Sequence, residues 1–312
     1  MLGALLFLVP LDDSGQAVPP PPERGAEVVV TAPFERERRD TVSSVSILDG
    51  AELARALRPQ LGDTLQRLPG VSATSFGPNA SRPVLRGLGG ERIRVLTDGI
   101  GAFDVSNTSA DHAVAINPLL ADRIEVLRGP AALRYGSSAI GGVVNVVDRR
   151  IPPRLPDAPV EIDALGALGS AARERSIGAG VVASLGAGVA ARIGGGFSET
   201  DDLRTGGFVL AEPLRRRALA SADPAVSALG QLRTLPNSAA HTWTADAGVA
   251  LINPGGTLGA SLSHLETTYR VPIRFALTPG IADEAVTLDA RQTRADVRAA
   301  VEIPAGPFER LT

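Results

Sequence analysis

The chain has 312 residues and a formal net charge of −3, and this near-neutral balance gives no support for a nucleic-acid partner. It contains no cysteine, which excludes disulfides and thiolate metal sites, and all of its basic residues are arginine. Its length suggests about two domains, while 34 glycines and 4% aromatic residues suit closely spaced sheets or a barrel better than a large soluble core.

Residues 1–17 begin with an apolar run that is too short to cross a bilayer as a helix. The run is similar to the hydrophobic region of a secretory signal, with Gly15 and Ala17 as small residues before a cleavage site. The basic region expected before it is absent, since the first basic residue is Arg24, and a disordered apolar tail is the alternative. Residues 18–40 are predicted to be a proline-rich linker.

The chain becomes compact from Thr41, and residues 41–156 are predicted to form an α+β unit. A strand is expected over residues 42–48, and Asp49 with Glu52 has the capping-box spacing of a helix start. A second helical segment and a short strand follow, separated by Pro69-Gly70.

A glycine-rich segment, residues 87–90, precedes a strand around residues 93–97. The segment lacks the lysine and hydroxyl of a phosphate-binding loop, so we interpret it as a tight turn. Residues 123–147 (RIEVLRGPAALRYGSSAIGGVVNVV) then give a strand, a stop at Gly129-Pro130, turn-forming residues and a second apolar strand.

Residues 123–147 resemble the end of the plug domain of TonB-dependent outer-membrane receptors, which closes with R-I-E-V-x-R-G-P…Y-G…G-G-V-V-N-V. Residues 86–99 are similar to a second plug pattern, R-G-x-x-x-x-R-x-x-V-L-x-D-G. The resemblance covers about residues 27–148. It implies a receptor in a Gram-negative type of outer membrane, with its N-terminus facing the periplasm.

A short β-prone run lies ahead of this unit, and alone it would be an ordinary edge strand. Beside a plug it resembles the TonB box, an extended segment that pairs with the periplasmic domain of the TonB energy-coupling protein through backbone hydrogen bonds. The residues of this predicted box are Glu27, Val28, Val29, Val30, Thr31 and Ala32.

Beyond Pro152-Pro153 the pattern changes to segments of about ten residues that are apolar on one side and polar on the other. This alternation is typical of transmembrane β-strands, although a soluble sandwich has the same period. In one segment Trp243, Ala245, Ala247, Val249 and Leu251 alternate with Thr244, Asp246 and Gly248. The apolar faces are expected to meet outer-membrane lipid and the polar faces to line a lumen.

Connections that are alternately short and long favour the barrel, because outer-membrane barrels have short turns on one rim. The short ones are residues 186–188, 253–256 and 304–307, and the longest are residues 199–241 and 269–286. Residues 157–312 hold about six strands and the start of a seventh at Phe308, whereas plugged transporters have roughly 22. We therefore expect an incomplete barrel and a truncated chain.

The ligand is suggested by Asp111-His112, which resembles a metal-binding pair in the zinc-receptor branch of the family. Imidazole and carboxylate are suitable zinc donors, and Glu266 is the nearest candidate for a further ligand. A surface histidine without a metal is the alternative. Because residues 269–279 lack the clustered histidines of that branch, a siderophore or haem ligand stays open.

The sequence thus predicts ligand uptake across an outer membrane, with no required cofactor and zinc as a transported ligand. No catalytic constellation indicates an enzyme: the three histidines lie far apart in sequence, and Ser137-Ser138 has no visible base. A plug-like binding or signalling module and a soluble two-domain hydrolase are the alternatives.

Overall fold

The computed structural model describes residues 28–29, 36–37, 44–74, 77–101, 112, 114, 116–278, 284–302 and 310–311. The chain first forms a two-stranded antiparallel pair, β1 (Val28–Val29) with β2 (Arg36–Glu37). An N-terminal unit of sheet and helices follows, and then a large antiparallel sheet.

The N-terminal unit is built on a five-stranded mixed sheet. Its strands are β3 (Ser44–Asp49), β6 (Ile93–Thr97), β7 (Ile100–Gly101), β8 (Ala121–Arg128) and β9 (Gly142–Asp148), in the order β3-β8-β9-β6-β7. Helices α1 (Gly50–Ala56) and α2 (Leu61–Leu65) and the pair β4 (Val71–Ala73) with β5 (Pro83–Leu85) complete the unit. Short 3-10 helices cover Gly90–Arg92, Pro118–Leu120, Pro130–Tyr135 and Ser137–Ala139.

The core of this unit lies between the helices and β8 and β9. Leu61 and Leu65 of α2 are almost fully buried and pack with Ile124, Val126 and Val144. Both faces of β9 are buried, which explains why its sequence is a continuous apolar run rather than an alternation.

Of two local predictions in this unit, one is corrected and one is confirmed. The predicted helix after Asp49 is present, but the Asp49 side chain makes no capping hydrogen bond. The glycine-rich segment is a turn, as predicted, and it continues into the 3-10 helix Gly90–Arg92. Gly87 there has a φ of +80°, a conformation that glycine adopts without strain.

The second part is a seven-stranded antiparallel sheet, called the wall below, whose strands lie in sequence order. They are β10 (Val160–Gly169), β11 (Glu174–Gly186), β12 (Val189–Thr200), β13 (Ala240–Asn253), β14 (Gly256–Arg274), β15 (Glu284–Glu302) and β16 (Arg310–Leu311). β10 and β16 lie at its two edges, so the described wall is not closed. The predicted fold class, an α+β unit followed by strands of an incomplete barrel, is confirmed.

One face of the wall exposes large apolar side chains to the surroundings. They recur at every second residue, as the alternation predicted, and include Ile162, Leu168, Ile177, Ile193, Leu262 and Val297. A surface of this kind fits lipid rather than water. No helix among the described residues is long and apolar enough to cross a bilayer.

The connections differ at the two rims of the wall. Only residues 187–188 separate β11 from β12, and residues 254–255 separate β13 from β14. The long connection 201–239 contains two helices that were not predicted, α3 (Glu212–Leu219) and α4 (Pro224–Leu229), which pack against Phe275 and Leu277. Residues 269–274 and 284–286 of the predicted loop 269–286 are strand, because β14 and β15 extend to 19 residues each, and residues 279–283 lie outside the described residues.

Candidate transport site between the N-terminal unit and the wall

The N-terminal unit packs on the polar face of the wall, called the inner face below. The turn Asn117–Leu120 approaches β11 and β12 closely because glycines face it there. A Cβ atom at Gly178 would lie 3.0 Å from the Leu119 carbonyl oxygen, and one at Gly196 would lie 2.7 Å from Asn117 Nδ2. Asn117 Nδ2 also donates a hydrogen bond to Thr244 Oγ1 at 3.3 Å.

Arg150 is the main ionic link between the two parts. Its guanidinium lies 2.6 Å from Asp148 and 3.4 Å from Asp98, both in the N-terminal unit. It also lies 3.5 Å from Asp296 on β15 and donates a hydrogen bond to Ser263 Oγ on β14 at 2.6 Å. One buried cation therefore holds carboxylates from both parts together.

Asp98 is the most perturbed acid of this cluster. Burial, together with the nearby Asp148 charge, raises the pKa of Asp98 to about 6 from its usual 3.8, although Arg298 and Arg150 oppose the shift. The Asp98 carboxyl group therefore changes charge within a mildly acidic range, beside the contact between the N-terminal unit and the wall.

A second ionic link lies within the wall. The Arg192 side chain on β12 is 3% exposed, and it contacts Asp163 on β10 at 3.3 Å and Asp246 on β13 at 3.5 Å. The polar face predicted to line a lumen is thus the face that carries these charges and receives the N-terminal unit.

A third contact joins the N-terminal unit to the root of the long connection 201–239. Asn79 is buried and donates a hydrogen bond to the Ser238 carbonyl oxygen at 2.6 Å. The Asp202 carboxylate accepts hydrogen bonds from the backbone N–H groups of Ser238 and Ala239 at 2.8 and 3.0 Å. The position of the connection is therefore tied to that of the N-terminal unit.

Of the predicted metal ligands the structure describes His112 and Glu266, and it places them apart. His112 Nδ1 lies 3.5 Å from the Tyr269 hydroxyl, which places His112 between the N-terminal unit and β14. Asp111 lies outside the described residues.

Glu266 is three residues from Tyr269 on the same strand and lies on the opposite face, where it forms an ion pair with Arg291 at 3.0 Å. The structure therefore does not join Glu266 to His112. Among the described residues, no three His, Asp or Glu side chains are grouped closely enough to hold a metal ion.

The predicted TonB box is described only at Val28 and Val29, which form β1. Glu27, Val30, Thr31 and Ala32 lie outside the described residues. Val29 pairs with Arg36 of β2, and no other described strand pairs with β1, so one edge of β1 has no described neighbour.

Sequence reasoning missed Arg150, Arg192, Asp98 and Asn79. Their partners lie far along the chain, so local spacing does not reveal them. The available signals were an arginine two residues before Pro152 and a charged residue on the polar face of a predicted strand.

Residues 37–143 match the family model described as the TonB-dependent Receptor Plug Domain. This segment of the chain is therefore similar to the plug domain of TonB-dependent receptors. The resemblance drawn from residues 86–99 and 123–147 is confirmed, and the N-terminal unit is called the plug from here on. Proteins of this receptor family are located in the Gram-negative outer membrane.

Solved structures share the fold of both parts. The copper transporter OprC is 18% identical with a TM-score of 0.64, over 85% of this chain and 36% of that chain. The ferric-catecholate import receptor Fiu from E. coli K12 is 17% identical with a TM-score of 0.54, over 88% and 49%. The siderophore receptor PirA from Acinetobacter baumannii is 18% identical with a TM-score of 0.51, over 83% and 45%.

These three similar structures are named as transporters or receptors, and none is named as an enzyme. The chain spans less than half the length of each of them. At these identities the similarity shows a shared fold alone.

Proposed function

We propose that the protein takes up a scarce ligand across the outer membrane, driven through the plug by an energy-coupling partner. The observation that carries this proposal is the position of the plug against the polar inner face of the wall, while the opposite face exposes Ile162, Ile193 and Val297. A wall with lipid on one side and a polar domain on the other is suited to controlled passage.

The ligand that we propose is a metal ion such as zinc, bound with the help of Asp111 and His112. His112 supports this because it lies at the surface of the plug that meets β14, where a ligand held by both parts could move them. The names of the similar structures, a copper transporter and siderophore receptors, support metals as the class of cargo.

The partner is the periplasmic domain of the TonB energy-coupling protein, and residues 27–32 are its binding segment. The β1 strand supports this proposal because it already has an extended backbone and a free edge among the described strands. A partner strand would add to that edge through backbone hydrogen bonds.

A metal chelate such as a siderophore is the second candidate, and two of the similar structures are named as siderophore receptors or import receptors. The histidine-free segment 269–279 favours it, since a chelate supplies its own metal ligands. A plug-like signalling module is less well supported, because it would not need the exposed apolar face of the wall.

Calorimetry with zinc ion on the complete receptor tests the metal assignment. Wild type should bind zinc more tightly than His112→Ala, and the affinity should fall as the pH drops through roughly 6.5, because only neutral imidazole binds. His241→Ala is the matched control, since His241 makes an edge-to-face ring contact with Phe197 on the outer face of the wall, away from the plug. Equal binding by wild type and His112→Ala removes the zinc proposal.

Uptake itself is tested in cells. Accumulation of zinc, or of a ferric siderophore, should require both this receptor and the energy-coupling protein. Equal accumulation in cells that lack the coupling protein contradicts the proposed transport function.

A further inference from the structure

Two cavities lie between the plug and the wall, one on each side of Arg192. The first, of about 80 Å³, is lined by Asp148, Asp246, Ser263 and Arg294 among others. The second, of about 250 Å³, lies beside α1 and β10 and is lined by Asp122, Arg149 and Asp163 among others. Leu120, Ala121 and Arg192 line both cavities, so these residues form the boundary between them.

Arg192 is the charged member of this boundary. Its guanidinium reaches Asp163 on the side of the second cavity and Asp246 on the side of the first. The two carboxylates belong to strands on either side of β11 and β12, so the cation bridges the space between them.

The space that the guanidinium occupies exists because Gly180 and Gly194 lie between the two aspartates in one row of paired residues, Asp163, Gly180, Gly194 and Asp246. A Cβ atom at Gly180 would lie 2.5 Å from Arg192 Nη1. One at Gly194 would lie 2.7 Å from Asp246 Oδ2 and 3.2 Å from Arg192 Nη2. A side chain at Gly180 would therefore displace the guanidinium, whereas one at Gly194 would first meet the Asp246 carboxylate.

Asp246 provides a further observation that points to a cation. Its side chain is 2% exposed, and neither of its carboxylate oxygens accepts a hydrogen bond from a described residue. Without Arg192 this carboxylate would be buried and uncompensated, and a mobile cation would be the means of neutralising it.

We propose that the Arg192 guanidinium is a tethered cation that closes a passage for small hydrated cations between the two cavities. Displacement of Arg192 joins the cavities and leaves Asp163 and Asp246 facing the opening. This inference rests on the proposed uptake function, since a passage between plug and wall has a role only in a transporter. In this proposal Arg192 of β12 is the residue that closes the passage, and it is called the gate below.

Conductance of the complete receptor in planar lipid bilayers tests the inference, with potassium chloride as the probe. Wild type should stay closed. Arg192→Ala should conduct, with a reversal potential shifted toward that of the cation, and the double variant Arg192→Ala/Asp246→Asn should lose that preference. Arg175→Ala, at an exposed position on the outer face of β11, is the control and should stay closed.

Gly180→Ala should also open the passage without removing the charge, because its Cβ would lie 2.5 Å from Arg192 Nη1 and displace the guanidinium. Gly166→Ala is its control, since a Cβ there has no contact closer than 3.8 Å. Limited trypsin digestion shows whether the plug is folded in each variant. If Arg192→Ala and Gly180→Ala both stay closed with the wild-type digestion pattern, the proposal that Arg192 closes the passage is overturned.

If Arg192→Ala conducts without preferring cations, Asp163 and Asp246 do not select the ions that pass, and this part of the proposal is also overturned. These results are separable from the proposed function, because ligand uptake by wild type is measured independently. A receptor that takes up its ligand while Arg192→Ala stays closed contradicts the gate alone.

Discussion

The Arg150 guanidinium lies 3.5 Å from the Asp296 carboxylate, and this contact joins the end of the plug to a strand of the wall. Arg150 follows directly after β9 and Asp148, so the contact stands where the chain leaves the plug. The ion pairs of Arg150 therefore fix the beginning of the segment that connects the plug to β10.

Arg150→Ala should weaken the attachment of the plug to the wall. Breaking a buried ion pair costs about 3 kcal/mol, because the partner carboxylates stay buried without compensation. Trypsin should cleave the plug faster in the purified variant than in wild type. Arg154→Ala is the control: Arg154 is exposed and pairs with an exposed Asp157, so its loss should have little effect. Equal cleavage of wild type and Arg150→Ala contradicts this role for the Arg150 cluster.

Asp98 should make stability depend on pH below neutrality. Because burial raises the pKa of Asp98 from 3.8 to about 6, the folded protein holds this proton more tightly than the unfolded chain. The contribution of Asp98 to stability is therefore greatest at about pH 4 and decreases as the pH rises to about 6, by at most about 3 kcal/mol.

Unfolding free energies of wild type and Asp98→Asn between pH 4 and 7 check the prediction. The difference between the two proteins should change across this range, because asparagine does not titrate. Parallel curves would show that Asp98 has an ordinary pKa.

Gly142→Val should prevent correct folding of the plug. Gly142 has a φ of +137°, and a Cβ atom there would lie 2.7 Å from the Leu127 carbonyl oxygen on the neighbouring strand. A side chain therefore meets both backbone strain and a collision in the middle of the sheet. Gly101→Ala is the control within the plug, because the nearest atom to its Cβ position, Arg94 Nη2, is 3.5 Å away.

Proteolysis of an expressed segment 27–148 measures the effect. The wild-type segment should resist digestion and the Gly142→Val segment should not. A wild-type segment that is digested at once would count against an independently folding plug.

Val29→Pro should abolish binding of the energy-coupling protein, whereas Val29→Thr should be nearly neutral. Strand addition uses the backbone, and proline removes an N–H group from it, while threonine keeps the backbone and the β propensity. A pull-down with the periplasmic domain of the coupling protein compares the two. If both variants bind equally, residues 27–32 are not the coupling segment.

The strands of the wall could be predicted from the sequence, because each strand carries apolar side chains on one face and polar side chains on the other. Ile177 and Ile193 are exposed on the outer face, while Ser176 and Arg192 are buried on the inner one, as the alternation of β11 and β12 requires. The two plug patterns could be recognised in the sequence because glycine and proline occupy positions with special backbone conformations. Gly142, with a φ of +137°, is an example.

Features that depend on contacts between residues far apart in the sequence could not be predicted from it. Helices α3 and α4 are stabilised by packing on Phe275 and Leu277, about fifty residues further along the chain. Glu266 was predicted to join His112 in one metal site, but His112 contacts Tyr269, and a strand turns residues three apart to opposite faces. Arg150 and Asp296 are 146 residues apart, and no local pattern relates them.

The 19-residue strands β14 and β15 are about twice as long as a bilayer requires, since roughly ten tilted residues cross one. We therefore expect the ends of both strands to extend roughly 20 Å beyond the lipid surface on the rim with long connections. The ends of β14 and β15 on this rim should then be in reach of antibodies. Immunoglobulin raised against residues 268–278 should label intact cells in flow cytometry, and labelling only of lysed cells would place this rim on the periplasmic side.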